Sequence, residues 1–483
     1  ILAVRCRIEA YCSNPRDRRL SFYKPLKLLP MAKKAKKMHT KKGVELKIVN
    51  PNAAGIDIAD TEMQVCVPSD GDGNNNRRFG SFTRDLDEIC GWLKACDIDT
   101  AAMEATGIYW IPLFFKLKGS GIDVILVNAH EVKNISEKKT DEADAEWLML
   151  LHTYGLLKAS YQPDNEARQV RNLARHRGNL LKASAKEVQH MQKAMEQMNI
   201  KLSNVLSDIV GKSGKAIVEA ILSGNHDPES LAGLADGRCK RSKEDIALSL
   251  EGTWEDDHLF ELKQPYELYQ YLQRQVEECD HKIEAMLMSY AAIVETDMAG
   301  FEKCGKAVCK KNAVAFDVER YGYAIWGINP MTIPGMSVSS VLQLIGELGH
   351  NFVDKFDTSE KFCKWCNIVP NNRISGGKLL SSRVPKRKNP VGQVFRLCAN
   401  ALKDAKNPMG FYFRRIKSRG GHMQAIVATA HKIAKIFYVM VKNKCAFDET
   451  KVGLDEKELL TMKIKRTQRA LDRLNAKLYA TVC

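Results

Sequence analysis

Four acids carry the chemistry that this sequence offers. Asp141 and Asp144 stand three residues apart in Lys139-Thr-Asp-Glu-Ala-Asp-Ala-Glu-Trp147, and Trp147, Leu148 and Leu151 follow at helical spacing. Residues i and i+3 share a helix face, so both carboxylates project from one turn. Adjacent carboxylates repel unless a cation holds them together, and Mg²⁺ accepts such oxygen ligands. A plainer account makes Asp141 an N-cap or first-turn acid and Asp144 its solvated neighbour. Two further acids weigh against it: Asp57 in Gly55-Ile-Asp-Ile-Ala59, and Glu104 after Asp99-Thr-Ala-Ala-Met103. Four acids in one domain suit two Mg²⁺ ions about 3.5–4 Å apart, one activating an attacking oxygen and the other stabilising a leaving one. That is phosphoryl-transfer chemistry.

The elements that must position these acids are strands and helices in alternation. Residues 55–68 read as two strands around a turn, with Ile56 and Ile58 alternating with Asp57, and Met63, Val65 and Val67 repeating the pattern. Asp57 is thus expected mid-strand, facing away from Ile56 and Ile58. A third strand is expected at Arg78–Phe82, an amphipathic helix at Leu86–Lys94, a strand ending at Glu104, a helix from Ala105 and a strand at Gly121–Val127. Alternating strands and helices imply an α/β sheet, whose chemistry gathers at the strand carboxyl ends.

A long helical region follows. Leu181, Ser184, Val188, Met191, Met195, Met198, Leu202, Val205 and Ile209 keep a 3-4 spacing, as do Tyr269, Leu272, Val276, Cys279, Ile283, Met286 and Tyr290. Two heptad segments around a mostly polar insert predict an antiparallel coiled coil, within the chain or between chains, with its methionines in the core. Residues 301–323 read as a linker. Pro334-Gly335 ahead of a helix is either a phosphate cradle or a plain turn. Residues 374–383 read as a glycine-containing polar loop, followed by Lys386, Arg387 and Lys388 and then by Arg414, Arg415, Lys417 and Arg419; such patches suit phosphate backbones. A helix from about Thr429 to Lys442 closes the fold, and the charged helical tail from Leu454 has Leu459, Leu460 and Met462 as its few apolar contacts.

Composition bounds the rest. The 483 residues, 45% hydrophobic and 27% charged, suffice for two or three globular domains. No run has the length of a membrane span, and fourteen scattered cysteines suit a reducing compartment, so a cytoplasmic protein is expected. The net charge of +16 is unevenly spread: residues 1–47 hold fourteen Lys and Arg against three acids, a net +11, leaving +5 for the remainder. Met31 opens a Lys-rich run and is expected as the natural start, with residues 1–30 as upstream read-through. Cys304 and Cys309 with Cys363 and Cys366 are too loosely spaced for a zinc site.

Gly-Ile-Asp57, Met-Glu104-Ala-Thr-Gly and Lys-Thr-Asp141-x-x-Asp144-Ala-Glu-Trp-Leu resemble the signature of the DEDD transposases of insertion sequences, the IS-one-ten type. Val-Asn-Pro-Asn-Ala-Ala-Gly-Ile-Asp57, Val188-Gln-His-Met-Gln-Lys-Ala and Ser375-Gly-Gly-Lys look closest to its IS-eleven-eleven branch. The resemblance runs from about Val49 to Lys442. It implies an α/β plus α chain: a RuvC-like (RNase H-like) N-terminal domain, a long coiled-coil insertion and a mostly helical C-terminal transposase domain with a serine nucleophile. The expected divisions are a basic extension (1–45), the DEDD metal-binding domain (46–160), the coiled coil (161–300), the linker (301–323), the transposase domain (324–442) and a helical tail (443–483).

Matched motif by motif, Asp57, Glu104, Asp141 and Asp144 correspond to the metal-binding acids and Ser375 to the serine, with Ser337, Ser339, Ser340, Ser381 and Ser382 as rivals that spacing leaves open. An activated serine attacks a DNA phosphodiester and holds it covalently. Lys378, Arg383, Lys386, Arg387, Lys388, Arg414 and Arg415 are the expected nucleic-acid contacts. The resemblance further implies a noncoding bridge RNA (seekRNA) that pairs with donor and target DNA, a dimer or tetramer built through the heptads in which Ser375 serves the acids of another subunit, and work at a bacterial nucleoid. Two other readings compete: a RuvC-type, Mg²⁺-dependent nuclease of structured DNA that uses water and needs no Ser375, and a non-catalytic nucleic-acid-binding protein whose acids are structural.

Overall fold

The computed structural model describes residues 46–482 except positions 70, 72, 106, 129–140, 307–310, 386–388 and 452–455; the side chains of 141, 456–459 and 477–482 also lie outside the description. The basic extension, Lys139, Lys386, Arg387, Lys388, Cys309 and the side chain of Leu459 therefore fall outside the described residues. The chain divides into two compact units, one up to Tyr161 and one from Gln162.

The first unit is a five-stranded sheet of order β3-β2-β1-β4-β5. Strands β1 (Ala53–Ile58), β2 (Glu62–Cys66) and β3 (Asn76–Gly80) pair antiparallel, while β4 (Thr100–Glu104) and β5 (Asp123–Val127) add in parallel. The strands alternate in what they present. Ile56, Ile58, Val65, Met103 and Leu126 pack on one face against Ile89 and Leu93 of α1 (Thr83–Ala95) and Leu113 and Leu117 of α2 (Trp110–Gly119). On the other face Val127 packs with Leu148 and Leu151 of α3 (Asp141–Thr153). This mixed sheet between helical layers fits an RNase H-like domain. The third strand starts two residues before its expected position, and the helix expected from Ala105 begins at Trp110, after a turn in which Gly107 takes a positive φ.

The second unit is mostly helical. Helices α4 (Asn165–Gln197) and α9 (Asp256–Val294) lie along each other, antiparallel, with Asp164 meeting Tyr290 at one end and Ser184 meeting Gln273 further along. Between them a buried pair, Arg177 with Asp280, is completed by the Asn312 and Ala313 carbonyls, which accept from the guanidinium. The heptad spacing does not run unbroken to Ile209: α4 stops at Gln197, and Asn199 takes φ 57°, the left-handed value that ends a helix. The insert is not a polar spacer either. Its helices α5 (Leu202–Val205), α6 (Lys212–Leu222), α7 (Pro228–Gly233) and α8 (Lys243–Ser249) enclose Ile217, Val218, Ile221, Leu231 and Ile246.

Helix α10 (Val318–Trp326) starts inside the segment read as a linker. It leads to α11 (Val338–Leu348), α12 (Phe352–Lys355), α13 (Ser359–Trp365), a hairpin of β6 (Asn371–Ser375) and β7 (Lys378–Arg383), α14 (Pro390–Ala401), α15 (Pro408–Asn443, broken at Gly421) and α16 (Glu456–Val482). Phe352 stacks on Phe437, Trp326 meets Phe437 edge-on, and the Trp326 Nε1–H donates to the Gly349 carbonyl. Cys363 and Cys366 belong to this buried core; burial pushes the Cys363 thiol up to about 12 and holds that of Cys366 well above its usual range, so both stay protonated. No helix among the described residues is long and apolar enough to cross a membrane.

Candidate functional site

Strand parity and one close helix contact set Asp57, Glu104 and helix α3 on one face of the sheet. Gly55 and Asp57 share a face of β1 because side chains alternate. The β1–β4 register pairs Gly55 with Ala102 and Ile56 with Met103, so one step further sets Asp57 beside Glu104. Asp57 is not mid-strand but one residue from the end of β1, and Glu104 ends β4. Helix α3 lies on that same face: a Cβ at Gly55 would fall 2.1 Å from the Ala145 carbonyl oxygen and 2.2 Å from the Met149 nitrogen. The helix runs against β1, since the Val49 and Asn50 amides donate to the Thr153 carbonyl at its far end. Its first turn, which carries Asp141 and Asp144, is therefore the end directed away from Thr153 and towards the carboxyl end of β1. Glu104 is buried, and Asp57 and Asp144 are half-buried.

The donor set is all carboxylate. Cys66, opposite Gly55 on β2, offers no competing thiolate, because burial and then the charge of Glu146 raise its thiol to about 12. Among the described residues, the group of three whose ligand atoms lie within 4.8 Å of one another is Glu255, Asp257 and His258, a partly exposed group at the start of α9 in the second unit.

Ser375 occupies a different kind of element. The stretch read as a polar loop is a β-hairpin: Ser375 pairs with Lys378 across Gly376 and Gly377, whose φ values of 55° and 74° make a two-residue turn of the type that needs two positive φ angles. Ser375, Lys378 and Arg383 are all exposed, and Ser381 and Ser382 lie on the opposite strand, facing Arg373 and Asn372. Ser337 caps α11 by accepting from the Ser340 amide, and Ser340 is buried. This also decides the Pro334-Gly335 question for the plain turn: a Cβ at Gly335 would meet the Cys398 carbonyl at 2.5 Å, so the segment is packed rather than open to a phosphate. Arg414 is engaged within its own unit, donating to the Lys403 and Ala405 carbonyls and lying over Phe411, whereas Arg415 is exposed over Tyr412.

Both regions fall within stretches that match known families. Residues 54–200 match a transposase family of the DEDD, IS110 type, and residues 330–412 match the transposase IS116/IS110/IS902 family. The chain belongs to the IS110-type transposases. It is therefore a DNA transposase or recombinase, an enzyme of insertion sequences, which sets aside the non-catalytic reading. No curated protein matches the chain. The first matched stretch contains Asp57, Glu104, Asp141 and Asp144, and the second contains Ser375, Lys378 and Arg383.

Sequence reasoning missed the residues that hold this transposase's acidic face together. The Gln64 amide, buried and paired with Asp57 across the β1–β2 ladder, donates to Asn76 Oδ1 at 2.6 Å, and Asn76 Nδ2 donates to the Glu142 carbonyl at 3.0 Å. That chain ties the first turn of α3 to the sheet. At the far end, His152 Nε2 lies 2.9 Å from Thr100 Oγ1, and burial lowers its pKa. A polar residue amid the apolar run of β2 was the available signal for Gln64; Asn76 left none.

Proposed function

We propose that this transposase is an RNA-guided recombinase that moves its insertion sequence through a covalent serine intermediate, assisted by Mg²⁺. The observation that carries the reading is the serine hairpin: Ser375 ends a strand at an exposed turn, followed by two glycines with open space around them. Backbone without side chains lets a DNA strand approach closely.

The residues present fit a divalent metal, since Asp57, Glu104, Asp141 and Asp144 offer only oxygen donors and Cys66 stays protonated. When bound, the metal, two Mg²⁺ ions in this reading, supplies stabilisation of the charge that builds on the phosphate oxygens. The chain's own residues do the rest. Ser375 Oγ attacks phosphorus and loses its proton; the bond from phosphorus to the sugar oxygen breaks, and that oxygen departs as a hydroxyl. The strand is then held as a phosphoserine. A sugar hydroxyl of the exchanging strand attacks it, giving back the serine hydroxyl and a rejoined phosphodiester. Lys378 and Arg383 hold flanking phosphates, with Lys386, Arg387, Lys388 and Arg415 extending the contact surface.

In this reading the first unit is RuvC-like, the α4–α9 pair is the coiled coil, and a bridge RNA held by shape and backbone selects donor and target DNA. The working form is a homo-oligomer acting at the bacterial nucleoid. Ser375→Ala is expected to lower strand exchange about a thousandfold or more and to abolish the covalent protein–DNA adduct, with RNA and DNA binding intact. Exchange at the wild-type rate would overturn the assignment; cleavage without an adduct would establish the water-using nuclease instead. Sequencing of co-purified RNA tests the guide, and a preparation with no discrete RNA would remove it.

A further inference from the structure

We infer that the carboxyl-terminal helix is a dimerisation element, in which α16 pairs in parallel with α16 of a second copy of this chain as a two-stranded coiled coil. The helix is 27 residues long, about 40 Å, and every described side chain on it, from residue 460 to 476, is exposed. Leu460 and Met462 are therefore not the apolar contacts that the sequence suggested. The exposure follows a pattern. Leu460, Ile464, Thr467, Leu471 and Leu474 succeed one another in steps of four and three, and the four apolar members are 53%, 66%, 50% and 64% exposed. Alternating steps of this kind form the seam of a coiled coil, with Ile464 and Leu471 at the a positions and Leu460, Thr467 and Leu474 at d.

The seam already has the shape of a receptor. A shallow groove of about 340 Å³ is lined by Leu460, Lys463, Ile464, Thr467, Gln468 and Leu471. In a parallel pair each knob enters a hole of four residues on the facing helix. Here Leu460, Lys463, Ile464 and Thr467 surround the hole for an a knob, and Ile464, Thr467, Gln468 and Leu471 surround the next one, for a d knob. A β-branched residue at a with leucine at d is the preference of two-stranded parallel pairs, and Ile464 at a with Leu460 and Leu474 at d follows it, while Leu471 and Thr467 depart from it.

Charge selects the occupant. Lys465, Arg466, Arg469 and Arg473 all fall outside the seam and the positions flanking it, which hold Thr461, Lys463, Gln468, Ala470 and Asn475. A helix this basic meets its own copy without repulsion only when its cations point away, and these do. Parallel pairing sets Lys463, the single flanking cation among the described positions, opposite the neutral Gln468 of the second copy. Among the described positions, an acidic partner helix would find one cation to pair with along the seam. The earlier heptads are not available instead, because α4 and α9 bury Met191, Met195, Tyr266, Leu272 and Ile283 within the chain.

This gives the proposed homo-oligomer an interface, resting on that part of the proposal while failing separately from it. The test is sedimentation velocity on the full chain, freed of nucleic acid, at micromolar concentration. Wild type is expected as a dimer, Leu471→Lys and Leu471→Glu each as monomers with unchanged circular dichroism and melting, and an equal mixture of the two as a dimer again, because the introduced charges meet across the seam. A monomeric wild type would overturn both the interface and the homo-oligomer. Dimers that persist in both variants would overturn the interface alone, and a mixture that stays monomeric would overturn the parallel register.

Discussion

Glu104 is 6% exposed, at the end of a central strand and on the face that a helix covers, whereas Ser375 ends a strand of a hairpin in which Ile374, Leu379 and Leu380 are 66%, 58% and 69% exposed. One part of the candidate machinery is packed and the other is bare. The difference follows from what each must do. Carboxylates that act on developing charge gain most when they are fixed before the substrate arrives. A nucleophile must instead reach a phosphodiester, so it belongs on an element that projects. The cost is local stability, since an isolated two-stranded hairpin is marginal in water. On the packed side small errors should unfold structure, and on the bare side they should slow chemistry.

The largest expected effect comes from Gly55→Val. Its Cβ would overlap the backbone of Ala145 and Met149, and backbone does not yield as a flexible side chain does. We expect a loss of about 3 kcal/mol or more, a fall of roughly 10 °C in the melting of the first unit, and no exchange. An unchanged melting curve would mean that α3 is not seated on β1 as described. Gln64→Ala comes next, because it removes the donor to Asn76 Oδ1 and so loosens the Asn76 contact with the first turn of α3. About 1–2 kcal/mol is expected, with exchange falling roughly tenfold; a loss of stability at full activity would show that Gln64 only packs.

The two sides were unequally legible in the sequence. Asp57 and Glu104 could be assigned to strands because β1 and β4 are short and apolar between them, and side-chain parity is a local property. That they are neighbours depends on register, and that α3 covers them depends on Gly55, neither of which leaves a local mark. The hairpin was missed for the opposite reason. Its strands bury nothing, so they show no alternation, and the Gly376-Gly377 turn signal was absorbed into a loop. Heptad spacing marked the segments of α4 and α9 as antiparallel partners but left open whether they meet within one chain or between chains, and it did not reveal that α4 ends at Gln197.

Acid tests the packed side more gently. His152 is buried against Thr100, and burial lowers its pKa from the ordinary 6.5. The unfolded chain therefore binds a proton that the folded one refuses. Its contribution to stability is complete above about pH 6.5 and declines as the pH falls towards the lowered folded value, by at most about 1.4 kcal/mol per pH unit. The melting temperature of the first unit should drop over that window, and His152→Leu should flatten the drop. A wild-type profile that is flat below pH 6.5 would contradict the buried neutral imidazole.

The smallest effect on stability belongs to the serine hairpin, and there stability and activity should part company. Gly376 and Gly377 have positive φ and nothing within 4 Å of an added Cβ, so a side chain there meets strain but no clash. Alanine at Gly376 costs about 1–2 kcal/mol in the left-handed region, but only against the hairpin, which opens without the core. The global melt should stay put while strand exchange falls about tenfold, the factor that 1.4 kcal/mol sets. Gly376→Asn is the control, because asparagine tolerates that conformation and Asn-Gly is a favoured pair for this turn; exchange should be close to wild type. If both variants are equally slow, the glycine is needed for close approach of DNA rather than for the turn. If alanine lowers the global melt by several degrees, the hairpin is part of the core, and the contrast between a packed and a bare half fails.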